Sequence, residues 1–87
     1  MTLHIGVIDD DRKVLYQLEK MAEAEEWRFL ATVDPEEVLG WVRDDEIDIL
    51  LVDVWMPVVS GYQLVQKARN ISEKIVLIAL AENERED

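Results

Sequence analysis

Four short apolar runs, separated by segments of helical periodicity, constrain this chain more than any other feature. The runs are Leu3–Ile8, Trp27–Val33, Asp48–Val54 and Lys74–Leu80. Leu3–Ile8 is largely apolar and β-branched and ends at three aspartates, which predicts a short strand buried on both faces. From Asp11 to Glu26, residues Val14, Leu15, Leu18, Met21 and Ala22 fall on one side, at the spacing of an amphipathic helix. Asp34-Pro35-Glu36-Glu37 supplies an N-cap carboxylate, proline at the first helical position and glutamate at the third. The helix it starts carries Val38, Leu39 and Val42 and should end near Asp45. Ser60 with Gln63 is a second capping-box pattern, opening a helix with Leu64, Val65, Ala68 and Ile71 on one face. The order is strand, helix, strand, helix, strand, helix, strand. Such alternation predicts a parallel sheet with helices on its faces and right-handed crossovers.

At 87 residues the chain has room for one domain with a modest core. Nothing reads as a linker or repeat before the polar stretch 81–87. No apolar run approaches the roughly 20 residues that span a bilayer, and Met-Thr-Leu-His does not begin a secretory signal. The expectation is a protein without membrane contact. The absence of cysteine fits a cytoplasmic location. The net charge of −11 sets the surface against phosphate backbones, so direct nucleic-acid binding is not expected. Most of that charge reads as a solvated acidic surface, but some carboxylates are placed where a divalent cation would gather them.

In open parallel sheets, ligands bind beyond the carboxyl ends of the strands. The first strand ends in Asp9-Asp10-Asp11 and the third around Asp53. If these strands are neighbours, Asp9, Asp10 and Asp53 share one crevice. Carboxylates about 4 Å apart repel by about 1–4 kcal/mol, and a cation relieves that repulsion. Mg²⁺ suits such a set, because it takes a few carboxylate oxygens, keeps waters and shares phosphate oxygens. A carboxylate left partly free can attack a phosphoryl donor. Each position also has a plainer role. Asp11 reads first as a helix N-cap. Asp9 and Asp10 fit that role less well, because adjacent side chains point in opposite directions. Asp53, inside Leu-Leu-Val-Asp-Val-Trp-Met, is costly to bury without a partner.

Val7-Ile8-Asp9-Asp10-Asp11, then Ile49–Pro57 (Ile-Leu-Leu-Val-Asp-Val-Trp-Met-Pro), then Ser60-Gly61, resemble bacterial two-component receiver domains over nearly the whole chain. The resemblance implies a flavodoxin-like open parallel sheet of four strands, in the order 2-1-3-4, with three helices. It implies that Asp53 accepts a phosphoryl group from a histidine kinase or phosphotransfer protein. Asp10 would bind Mg²⁺ directly, Asp9 directly or through water, and the Trp55 backbone carbonyl would complete the metal site. Met56, Pro57 and Gly61 would shape the loop into the third helix, with Gly61 allowing a turn that other residues resist.

Two departures from the family matter. A hydroxyl residue is expected at the end of the fourth strand, where spacing places Leu80. A lysine is expected at the end of a fifth strand, and Lys74, at the start of the fourth, cannot replace it. The chain therefore reads as a single receiver domain over 1–87, truncated after the fourth strand, with a possible start of a fourth helix in 82–87. It lacks the last helix, strand and helix of a full receiver. Metal binding should survive these losses better than switching. The fourth-strand edge or the bared sheet face should promote self-association into a homo-oligomer.

An alternative function stays open: a pseudo-receiver that binds partners or dimerises with vestigial or no phosphorylation. A phosphohydrolase of the haloacid-dehalogenase type would need aspartate where Trp55 stands. A flavodoxin-like electron carrier would need a hydroxyl- and glycine-rich phosphate loop after the first strand. An EF-hand fails because position 13 is lysine. At most, the chain would phosphorylate itself from a phosphodonor, so it is not read as an enzyme. His4 enters the first strand, where a structural role outweighs a phosphorelay role. Trp27 and Trp41 read as packing residues, and Tyr62 as flanking the site or lying on a helix surface.

Overall fold

The computed structural model describes residues 2–81. The elements run β1 (His4–Ile8), α1 (Arg12–Ala24), β2 (Arg28–Thr32), α2 (Pro35–Arg43), β3 (Ile49–Asp53), α3 (Gly61–Ile71) and β4 (Val76–Leu80). The four strands form one parallel sheet in the order β2-β1-β3-β4, as expected for the flavodoxin-like arrangement. The possible start of a fourth helix in 82–87 lies outside the described residues.

All three helices begin with the side-chain caps read from the sequence. The Asp11 carboxylate accepts from the Lys13 N–H at 2.9 Å and Asp34 from the Glu36 N–H at 3.0 Å. Ser60 Oγ accepts from the Gln63 N–H at 3.2 Å. Each bond satisfies an amide that has no partner inside its helix.

The ends of α1 and α2 are less ordinary. Glu26 and Asp45 adopt left-handed backbone conformations, with φ of 62° and 58°. The Trp27 N–H then reaches back to the Ala22 carbonyl at 2.9 Å, and the Glu46 N–H to the Trp41 carbonyl at 2.8 Å. Both are Schellman closures, which usually place glycine at the left-handed residue. The helices consequently stop at Ala24 and Arg43, about two residues before the ends expected at Glu26 and Asp45.

Strand alternation divides the apolar residues between two layers. Gly6 and Ile8 of β1, Leu50 and Val52 of β3 and Leu77 of β4 face α2 and α3. There they pack with Val38, Trp41, Val42, Leu64 and Ala68 into the main core. Gly6 is required by that packing. A Cβ there would lie 2.9 Å from Trp41 Cε3 and 3.1 Å from Ile47 Cδ1. Ile5, Ile49, Leu51 and Ile78 face the other way, toward α1. Among the described residues, α1 is the only helix on that side. Only its Ala22 is buried; Val14, Leu15 and Leu18 are half-buried.

Met21 corrects the sequence reading. It was placed on the buried face of the first helix, yet it is 61% exposed. One helix does not cover a four-stranded sheet, and Met21 overhangs the uncovered part. The packing roles expected for the tryptophans hold for Trp41, which is buried, while Trp27 is 38% exposed on the groove beside α1. His4 is structural at the base of the sheet. Its N–H donates to Asp48 Oδ2 at 2.8 Å, and its Nδ1 lies 3.2 Å from the Glu46 carbonyl.

Candidate metal and phosphoryl site

The pairing of β1 with β3 brings their carboxyl ends side by side, with Ile8 in register with Val52. The residues that follow Ile8 and Val52 are therefore neighbours. One carboxylate oxygen from each of Asp9, Asp10 and Asp53 lies within 4.8 Å of the others. They line a pocket of about 670 Å³ with Asp11, Val14, Trp55, Pro57, Leu80 and Ala81.

The three carboxylates differ in surroundings. Asp9 is 3% exposed, the only buried charged residue among those described. Its Oδ1 accepts from the Asp11 N–H at 2.9 Å. Burial pushes its pKa up to about 6, against the opposing pull of that amide, and the nearby Asp53 and Asp11 carboxylates add to the rise. Asp10 is exposed, and Asp53, the last residue of β3, is half-buried. Asp53 Oδ1 accepts from the Trp55 N–H at 2.9 Å, which orients the carboxylate.

The other residues singled out in the sequence have definite places. The Trp55 side chain is 49% exposed at the pocket rim. Met56 is buried in the main core, so it anchors the loop from below, and Pro57 lines the pocket. Gly61 corrects the reading of its role. No glycine among the described residues has a positive φ, so Gly61 does not supply an unusual turn. It supplies room instead: a Cβ there would meet Val52 Cγ1 at 3.2 Å and the Val54 Cα at 3.3 Å. Tyr62 is 73% exposed on the surface of α3 and is absent from the pocket lining. Leu80 stands in register beside Asp53, and its carbonyl accepts from the Val54 N–H at 3.3 Å. Among the described residues lining the pocket there is no lysine, arginine, serine or threonine. Val14 and Ala81 were missed as lining residues. They reach the pocket only through the packing of α1 and β4, and nothing in their local sequence marks them.

A parallel α/β sheet with three carboxylates gathered beyond its strand ends defines a doubly wound protein with an acidic pocket, whose all-oxygen donors are of the kind a hard cation takes. The model of the response regulator receiver domain matches residues 5–87, and the chain belongs to that family. Receiver domains are generally signalling modules without enzymatic activity of their own. The chain is similar to the response regulator GtcR of Aneurinibacillus migulanus, with 28% identity over 87 residues, all of this chain and 36% of GtcR. It thus spans about a third of that relative's length. Among solved structures it is similar in fold to the receiver domain of a sensor histidine kinase from Pseudomonas aeruginosa PAO1, which has a magnesium ion coordinated in its active-site cleft. That match has a TM-score of 0.83 and 20% identity, over 99% of this chain and 72% of the other. A third match is the complex of histidine kinase ThkA with response regulator TrrA, at TM-score 0.80 and 23% identity, over 99% of this chain and 76% of the other. No helix among the described residues is long and apolar enough to cross a membrane.

Proposed function

We propose that this chain is a phosphoryl-accepting signalling module. Asp53 is the acceptor, and Asp9, Asp10, Asp53 and the Trp55 backbone carbonyl hold Mg²⁺. The observation that carries this reading is the convergence of three carboxylate oxygens within 4.8 Å. An all-oxygen, all-anionic donor set fits a hard divalent cation. When bound, the ion offsets charge on the incoming phosphoryl group. The Trp55 N–H holds one oxygen of the Asp53 carboxylate, and Asp53 lines the pocket. An Asp53 oxygen bonds to phosphorus as the bond from phosphorus to the donor's imidazole nitrogen breaks. The imidazole leaves with the electron pair and takes a proton from solvent. The donor is a histidine kinase or phosphotransfer protein, a partner class supported by the family and by the kinase–regulator complex of similar fold. A cytoplasmic site of action goes with that role.

The pocket lining favours a second reading, a pseudo-receiver that binds partners with little or no phosphorylation. An apolar Leu80 beside Asp53 donates nothing to a phosphoryl oxygen. The two readings separate on incubation with Mg²⁺ and acetyl phosphate, or with beryllofluoride, followed by mass and Trp fluorescence. The signalling reading expects an adduct that disappears in Asp53→Asn. Metal-dependent quenching with no adduct would establish the pseudo-receiver instead.

A further inference from the structure

Gly61 is the first residue of α3 and is buried against the end of β3. The two residues it approaches stand on either side of Asp53. A Cβ at position 61 would lie 3.2 Å from Val52 Cγ1, 3.3 Å from the Val54 Cα and 3.4 Å from Val54 Cγ1. Neither neighbour yields easily. Val52 is 1% exposed, with its side chain held in the main core. The Val54 contact includes backbone, and the Val54 N–H is tied to the Leu80 carbonyl at 3.3 Å. The loop that follows is pinned from within. Met56 is buried in the main core, Val59 packs against that core, and Ser60 caps α3 through the Gln63 N–H. The other two glycines differ. Gly6 faces Trp41 and Ile47, neither of which lines the acidic pocket, and Gly40 in α2 has nothing within 4 Å of where its Cβ would be.

We infer that Gly61 is a positioning residue for Asp53: its lack of a side chain lets the first turn of α3 rest on Val52 and Val54, and this contact sets where the Asp53 carboxylate stands in the acidic pocket. The inference rests on the reading of Asp53 as acceptor and metal ligand. The Asp53 carboxylate takes a 2.9 Å hydrogen bond from the Trp55 N–H, one residue beyond Val54. The geometry of that bond follows the backbone at 53–55, the stretch that position 61 touches. The φ of Gly61 is not positive, so alanine fits the backbone and its effect comes from the added methyl. That methyl has two ways out. Val54 shifts by a few tenths of an ångström, or α3 lifts and takes the loop with it. Both move the Trp55 N–H relative to Asp53 Oδ1. Alignment of reacting groups is steep in distance. A misplacement of about 1 Å costs roughly 100-fold in rate, so a few tenths of an ångström costs about fourfold.

Gly61→Ala in the full chain tests this, with Gly6→Ala and Gly40→Ala as controls. Three quantities are read: the Trp55 amide-proton resonance, Mg²⁺ affinity by titration, and the initial rate of adduct formation with acetyl phosphate. In Gly61→Ala the Trp55 resonance moves upfield as its hydrogen bond lengthens, Mg²⁺ binding weakens, and the adduct rate falls about fourfold. Gly6→Ala lowers the melting temperature and leaves all three at parent values, because its strain falls on Trp41 and Ile47. Gly40→Ala leaves them unchanged too. Adding Val52→Ala to Gly61→Ala removes the 3.2 Å contact but not the 3.3 Å one to the Val54 Cα, so the Trp55 resonance returns part of the way. Circular dichroism reports whether each variant folds. If Gly61→Ala alone does not, the double variant is compared with Val52→Ala, and a Trp55 shift between those two is still expected. An unmoved Trp55 resonance with parent Mg²⁺ affinity, or equal shifts in Gly6→Ala, would overturn the inference. A parent that forms no adduct overturns the acceptor reading instead, and the role of Gly61 is then decided by the Trp55 resonance and the Mg²⁺ titration.

Discussion

The two faces of the sheet are built from the same kinds of residue and end in opposite states. Toward α2 and α3, Ile8, Val38, Leu50 and Ala68 are fully buried, and a single methyl at Gly6 has nowhere to go. Toward α1, Val76, Ile78 and Met21 remain 43–61% exposed. The strand sequences do not encode this difference, since β1 and β3 are apolar on both sides. Helix count among the described residues does: two helices pack on one face and one on the other. Val7, Ile5 and Ala22 are buried on the α1 side too, so stability should be weighted toward the closed face without residing wholly there.

Substitutions can break that comparison. Leu50→Ala removes a fully buried side chain from the closed face and should cost about 2–5 kcal/mol, enough to unfold much of a domain this small. Ile78→Ala, in the adjoining strand but on the open face, should cost under about 1 kcal/mol by urea titration at micromolar protein. Equal losses would mean that the two faces are equally closed.

Asp9 sharpens the comparison at the end of the sheet. Its pKa of about 6, above the ordinary 3.8, means that the folded state holds this proton more tightly than the unfolded chain does. The associated stability is complete below about pH 4 and is lost as pH rises through about 6, reaching about 3 kcal/mol by neutral pH. Asp9→Asn should therefore stabilise the metal-free protein at pH 7.5, by an amount that shrinks as pH falls toward 5. Mg²⁺ at pH 7.5 should recover part of the same stability in the parent and little in Asp9→Asn, as read from melting temperatures.

Gly6→Ala should cost about 1–3 kcal/mol by forcing Trp41 and Ile47 aside. The smallest effect is at a helix end. Glu26→Gly removes a left-handed strain and should raise stability by about 0.5–1 kcal/mol, measurable as a small rise in melting temperature.

The legible parts of the fold were those fixed by local chemistry. Asp11, Asp34 and Ser60 announce helix starts because each cap bond spans only two or three residues. The apolar runs announce β1 and β3 because burial on both faces leaves no polar alternation. The pocket residues Asp9, Asp10 and Asp53 could be nominated because carboxylates at apolar strand ends are costly without a purpose. The helix ends at Glu26 and Asp45 were not legible, because the usual glycine is absent and tertiary structure holds the strained residue. The exposure of Met21 was hidden too, since a helical stripe shows which side faces the sheet but not how much sheet lies beneath it. Gly61 was marked as important for the wrong reason. A Cβ there would press on Val52 and Val54 and push them by a few tenths of an ångström, a constraint visible only in three dimensions.

The register of β4 carries one further consequence. Leu80 stands beside Asp53 and grips the loop after it through the Val54 N–H, while Ile78, two residues earlier, stands on the open face. A strand of five residues is only about 17 Å long, so these two neighbourhoods share one stiff rod. Anything that shifts the rod at one end is felt at the other. A substitution at Ile78 is therefore expected to change the apparent affinity of the acidic pocket for a divalent cation, as a titration with Mg²⁺ would read.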